Sequence, residues 1–170
     1  AIQCYDLVRA MTLVCQNGAT NKQQQDSFNG MIKRALLPMI QKFDADSPYA
    51  NGNWGAIVNR LRMACAICMK DSVLYKASID YHLHANDNGS LPMYISETGQ
   101  CQETGRDQGH VQLGLEALSQ ICEMAWEQGD DLWGALDNRL LKGFEYTARY
   151  NLGYDVPFET WTDCTGLYCE

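Results

Sequence analysis

A dense polar cluster that leads directly into an apolar stripe with helical spacing is the feature that most constrains this fold. The cluster covers residues 100–110 and combines amides, charged side chains, two glycines and a histidine. The stripe after it repeats at steps of four and three, which marks one buried face of a helix. Its members are Val111, Leu115, Leu118, Cys122 and Ala125. Because so polar a cluster is unsuited to a hydrophobic core, we predict that the helix begins at a binding site for a polar, anionic ligand.

The start of this helix has favourable chemistry for an anion. Thr104 and Asp107 have the spacing of an N-cap and its third helical residue, a weak form of the capping box. Arg106 and His110 are four residues apart and share one face, which Gly114 continues with almost no side chain. Free backbone N–H groups and the helix dipole add positive potential. The alternative is that the Arg–His pair only ties a loop to a neighbouring helix.

A second polar helix start lies at residues 51–55. Here too an apolar stripe follows at steps of four and three. It consists of Trp54, Val58, Leu61, Cys65 and Cys68. The amide of Asn53 is able to donate to a carboxylate, and the ring of Trp54 offers a flat face to a sugar. When each residue is considered alone, the alternative interpretation is that Asn53 is a plain N-cap and Trp54 is a core residue.

Together the two motifs resemble the alginate lyase superfamily of polysaccharide lyases. The resemblance rests on residues 53–55 and 99–110, and the sequences at residues 134–148 and 150–158 are also consistent with this family. It is closest to polysaccharide lyase family 38, whose members act on mannuronan or glucuronan. The Arg-Asp-Gln-Gly-His block at 106–110 is its most specific part.

The resemblance implies an all-α fold of antiparallel helical hairpins that form part of an (α/α) toroid. The implied reaction is β-elimination at a uronic acid in an anionic polysaccharide. Asn53 would neutralise the carboxylate with help from Arg106, and His110 would act as the base, because a histidine titrates near ~6.5. Trp54 and Gln108 are candidates for substrate binding.

Tyr94 is a third candidate for substrate binding and a weak local substitute for the tyrosine acid of the family. The alternative is that it is a half-buried hairpin residue. In the family the tyrosine acid lies beyond the end of this sequence, and its members are much longer. We therefore expect residues 1–170 to form a single, incomplete domain, an internal or processed part. A second chain would then supply the remaining helices.

The coarse pattern predicts helices with short connections. Pro38 should kink or shorten the second helix. A short β-ribbon is expected near residues 91–102, and the tail from Leu152 reads as irregular. The expected helices lie near residues 2–16, 25–44, 53–70, 72–85, 105–127 and 131–149.

Composition narrows the function further. The net charge of −8 argues against nucleic acid as a partner. The sequence contains no run of 18 apolar residues, so it predicts no membrane span. The charge also opposes a polyanionic substrate. A uronate site must therefore be locally positive, with Arg106, the helix starts and either Arg60 or Arg62 as sources.

Eight cysteines suggest a secreted protein with disulfides. Cys164–Cys169 and a link from Cys4 or Cys15 to a neighbouring helix are the candidate pairs. The CxxC at residues 65–68 lies within a helical stripe, so we expect neither a metal site nor a cofactor. The glycosylation sequon at residues 88–90, in an expected surface loop, fits secretion.

Three classes of function remain open. The first is a polysaccharide lyase or its catalytic half. The second is a non-catalytic carbohydrate-binding or structural fragment of the same fold. The third is an α-helical interaction module in which the polar loop is incidental. They differ in whether Asn53 and His110 belong to one site.

Overall fold

A computed structural model describes residues 1–47 and 50–165, and the backbone of 168–169. Seven of its α-helices have at least ten residues, and one has a single turn. Two short strands, β1 (Trp161–Thr162) and β2 (Tyr168–Cys169), pair antiparallel. The α-helices are α1 (Ile2–Gln16), α2 (Lys22–Met31), α3 (Leu37–Asp46), α4 (Gly52–Met69), α5 (Ser72–His84), α6 (Leu91–Tyr94), α7 (Gln108–Gln128) and α8 (Ala135–Asn151). The all-α class is confirmed, whereas the toroid stays a prediction.

Helix α4 is the centre of the fold and packs against α1, α5 and α7. Almost every side chain in its first four turns is buried, because neighbours cover it on several sides. The stripe predicted on α7 is buried along its whole length, from Val111 to Ala125. On α4 the stripe is buried from Val58 to Cys65, but Trp54 is 58% exposed and is not a core residue.

The predicted second helix runs from Lys22 to Asp46 as α2, a π-helical turn (Ile32–Leu36) and α3. Pro38 lies in the first turn of α3. Because proline has no N–H for the carbonyl four residues earlier, the regular ladder is interrupted at this point. The disturbance of the second helix that was predicted at Pro38 is therefore the π-helical turn just before this residue.

The β-ribbon predicted near residues 91–102 is reduced to a single antiparallel bridge. Residues 91–94 form the single turn α6, and residues 102–105 form a 3₁₀ turn. One antiparallel bridge between Ile95 and Cys101 is all that corresponds to the ribbon in the described chain. Pro92 explains the error, because its fixed φ suits the first turn of a helix. The tail is mostly irregular, as predicted, apart from the β1–β2 pair.

The start of α8 is also unusual. Leu136, Asp137 and Asn138 have φ values of 51°, 57° and 56°, in the left-handed region. Regular right-handed helix begins after them, which is later than the predicted start at residue 131.

Two expectations linked to secretion are not supported. Cys4, Cys15 and Cys164 are free thiols, as are the other cysteines with described side chains, whereas the side chain of Cys169, the predicted partner of Cys164, lies outside the described residues. The sequon is not on the surface either: Asn88 is 1% exposed and Ser90 is fully buried. None of the described helices is both long and apolar enough to cross a membrane.

His82 and His84, two residues apart on α5, lie in different environments. His84 is exposed and lies 3.0 Å from Asp80. His82 is fully buried, with its Nε2 atom 3.9 Å from the Cys122 sulfur, and burial lowers its pKa to about 4.

This buried histidine predicts a loss of stability in acid. The unfolded state takes up the His82 proton near pH 6.5, but the folded state only near pH 4, so stability present above pH 6.5 is lost as pH falls. Between pH 7 and pH 4 the wild type should lose about 3 kcal/mol more than His82→Met. Urea unfolding at a series of pH values measures this, with His84→Gln as the matched control. Equal acid slopes for wild type and His82→Met would contradict the assignment.

Candidate functional site

The two polar helix starts, distant along the chain, are joined by a buried hydrogen bond. The backbone N–H of Gly52 donates to Oε1 of Gln102 over 2.6 Å. Gly52 begins α4, and Gln102 begins the 3₁₀ turn that leads to α7. The Asn-Trp-Gly motif is therefore adjacent to the polar cluster.

Tyr94 lies between the two helix starts. Its side chain is fully buried, and its hydroxyl donates to the carbonyl of His110 at 3.1 Å and to that of Val111 at 3.4 Å. A Cβ added at Gly52 or at Gly114 would overlap the Tyr94 side chain. The close approach expected at Gly114 is thus made by this ring. Burial raises the pKa of Tyr94 well above its usual value.

Asn53 is fully buried just inside α4, and the N-cap is Asn51 instead. The Oδ1 atom of Asn53 accepts from the backbone N–H of Trp54 at 2.9 Å. Its Nδ2 atom has no partner among the described residues. An unpaired buried donor costs about 1–3 kcal/mol. The plain N-cap interpretation is therefore wrong, and Asn53 keeps an open buried donor at the start of α4.

Two further buried polar atoms near this junction have no partner within the described chain. They are Nε2 of Gln102 and Oε1 of Glu103, on side chains 2% and 4% exposed. Glu103 also lies 3.5 Å from Nη1 of Arg106. Three of the seven unpaired buried side-chain atoms of the described chain thus lie at this junction, and the other four belong to Arg60, His82 and Arg139.

His110 and Asp107 form a tight pair at the start of α7. Nδ1 of His110 lies 2.6 Å from Oδ2 of Asp107, whose Oδ1 accepts from the His110 backbone N–H at 2.9 Å. Asp107 is thus the N-cap in place of Thr104, since its carboxylate takes the free N–H three residues on. These bonds lower the pKa of Asp107. Arg106 is half exposed, with its Nε atom 3.9 Å from Asp107.

The other candidate binding residues have distinct positions. Trp54 presents a mostly exposed ring next to Asn53. Gln108 accepts a hydrogen bond of 2.9 Å from Nδ2 of Asn151 and so links α7 to α8. Tyr94 has no exposed surface and holds the backbone in place.

Neither of the other two arginines is free to supply positive charge. Arg60 is buried, donates to Gln120 and stacks over the ring of Tyr5 at 4.3 Å. Arg62 forms two hydrogen bonds to Asp44, of 2.8 and 2.7 Å. Of the arginines considered, Arg106 alone lies in the polar cluster.

Sequence reasoning missed Gln102, Asp107 as a partner of the imidazole, and Asn88. Asn88 donates to the carbonyl of Ala50 at 3.3 Å and accepts from the backbone N–H of Cys164 at 2.9 Å, which ties the tail to the start of α4. The spacing of Asp107 and His110, three residues apart across a helix start, contained the signal for their pairing. No pattern in the sequence indicated the other two contacts.

The model of the family described as alginate lyase matches residues 1–157, which include both helix starts. The chain belongs to the alginate lyase family. This membership supports polysaccharide lyase activity on alginate in general. No curated protein and no solved structure matches the chain.

Because the two helix starts of this alginate lyase family member are in close contact at Gly52, we predict that this position tolerates no side chain. A Cβ there would overlap the Asn88 carbonyl, the Tyr94 ring and the Gln102 amide. We expect Gly52→Ala to lower the free energy of unfolding by at least about 2 kcal/mol. Gly134→Ala is the control, because nothing lies within 4 Å of its Cβ position. Similar denaturation midpoints for the two variants would contradict the close packing.

Proposed function

We propose that the chain cleaves a uronic-acid polymer, mannuronan or glucuronan, by β-elimination at the joined helix starts. The observation that carries the proposal is the unpaired, buried amide of Asn53 at the same junction as the His110–Asp107 pair. Family membership supports the same reaction class.

The chemistry requires stabilisation of charge next to the sugar carboxylate. The C5–H bond breaks, its electrons form the C4=C5 double bond, and the C4–O bond to the leaving sugar breaks. Negative charge develops on the carboxylate during this step, so donors there act mainly in the transition state. Asn53 supplies an amide N–H and Arg106 a guanidinium. Because Asn53 is out of contact with solvent, the groups that cover it must move as the sugar binds.

His110 is the proposed base. When the neutral ring donates from Nδ1 to Asp107, Nε2 carries the lone pair that removes the C5 proton. Asp107 is a positioning residue that fixes the tautomer and the orientation of the ring. The imidazolium formed after proton transfer is stabilised by the same carboxylate.

The remaining groups bind and position the substrate. The exposed ring of Trp54 offers a stacking face beside Asn53, and Gln108 is the first residue of α7. Tyr94 positions both helix starts. We assign no residue of this chain as the acid that protonates the leaving oxygen, and a second chain is a proposed source. Polymeric substrate favours action outside the cell.

A non-catalytic carbohydrate-binding role is the second candidate. The polar site would be the same, but no unsaturated product would form. The imidazole of His110, paired with Asp107, favours the lyase over this alternative.

The principal test is the effect of His110→Ala and Asn53→Ala on cleavage. Each should lower the rate by roughly 10²–10⁴-fold, because each removes a group that acts in the transition state. Absorbance of the unsaturated uronate after addition of mannuronan or glucuronan measures the rate. His84→Ala is the control, and circular dichroism verifies folding. Full activity in either folded variant would refute its role.

The substitution Asp107→Asn tests the role of the Asp107 charge separately from the role of this residue as the N-cap of α7. Asparagine is an equally good N-cap, so the helix should stay intact. Loss of the carboxylate should lower turnover about 10–100-fold, as part of the acid–base contribution. A melting temperature near that of wild type with unchanged turnover would show that Asp107 serves the helix alone.

A further inference from the structure

A second groove, whose lining includes neither Asn53 nor His110, lies between the turn at residues 96–100 and the tail at residues 157–162. We call it the tail groove. Its volume is about 430 Å³, within the roughly 300–1,000 Å³ that is typical of small-molecule sites. Its tail side lies almost entirely beyond residue 157, where the family match ends.

Two buried side chains fix the walls of the tail groove. Gln100, only 4% exposed, donates from Nε2 to the carbonyl of Glu159 at 2.6 Å and accepts from its backbone N–H at 2.9 Å. The hydroxyl of Tyr146, on α8, donates to the carbonyl of Pro157 at 2.7 Å. The groove is thus formed before any ligand arrives, which reduces the entropic cost of binding.

The lining combines one aromatic ring with several hydroxyls. Trp161 lines the groove and is half-buried. A half-buried indole offers a flat apolar face of the kind on which the C–H face of a pyranose packs. The hydroxyls donate and accept, and so match the hydroxyls of a sugar. They belong to Ser96, Thr98, Thr160 and Thr162.

The charge of the tail groove selects against uronates. Glu97 and Glu159 line it, and no lysine or arginine is among the lining residues described. Nη2 of Arg139 lies 3.9 Å from Glu97, but its Nη1 donates to the carbonyl of Ile95. A uronate carboxylate would meet two like charges. Neutral sugar hydroxyls, in contrast, are good donors to carboxylates.

We propose that the tail groove is a second carbohydrate site, which binds a neutral oligosaccharide through the ring of Trp161 and the hydroxyls beside it. The proposal does not depend on turnover at His110.

The test is calorimetric titration of the purified chain with a β-1,4-linked glucose hexasaccharide, a β-1,4-linked xylose hexasaccharide and a mannuronate hexasaccharide. At least one neutral probe should bind, and Trp161→Ala should weaken it at least tenfold. Trp161→Phe retains a flat ring and should stay within about threefold of wild type. Trp126→Ala, an exposed tryptophan on α7 outside the groove, is the control and should bind as wild type does.

The outcomes distinguish this site from the lyase site. Neutral binding that persists in His110→Ala and is lost in Trp161→Ala supports the tail groove, whether or not any uronan is cleaved. The proposal is overturned if neither neutral probe binds, or if Trp161→Ala binds as tightly as Trp126→Ala. It is also overturned if the mannuronate probe binds as tightly as the neutral ones and depends equally on Trp161.

Discussion

The packing of Tyr94 between two helices is the contact on which the rest of the site depends. Its ring occupies the space that Gly52 and Gly114 leave without side chains, and its hydroxyl donates to the carbonyl of His110. A larger residue at either glycine would separate α4 from α7. Because the two helices carry Asn53 and His110 at their starts, the same contact sets where an amide donor and an imidazole lie relative to each other.

The helices could be predicted from the sequence because their apolar stripes are long and regular. Those on α4 and α7 were identified by spacing alone, and burial confirms them from Val58 to Cys65 and from Val111 to Ala125. Short segments were less predictable. Residues 91–94 have apolar and aromatic residues that suit a strand, and the position of Pro92 decides for a helical turn.

The site was only partly predictable. The resemblance named Asn53 and His110, but the contacts that join their helices come from Gln102, 50 residues after Gly52, and from Tyr94, 16 residues before His110. For Arg60 the sequence was misleading. Arg60 was predicted as one source of positive charge, yet its guanidinium is buried against Tyr5, because tertiary packing determines which charged side chains leave solvent.

The acidic character of the protein is compatible with a uronate site that relies on neutral donors. A buried amide donor such as that of Asn53 binds an anion without adding a net positive charge. Arg106, between Glu103 and Asp107, adds one cation whose own charge is largely balanced. The exclusion of charged sugars by Glu97 and Glu159 in the tail groove would then assign uronate and neutral sugar to different parts of one surface.

The most direct test is whether one ligand reports on both helix starts. In a His110→Ala variant, nuclear magnetic resonance would follow the Asn53 side-chain amide and the backbone amide of position 110 as a mannuronate tetrasaccharide is added. The account predicts that both resonances shift along one saturation curve with a single Kd. A shift of only one of them, or two curves with different midpoints, would show that the two helix starts do not share a sugar.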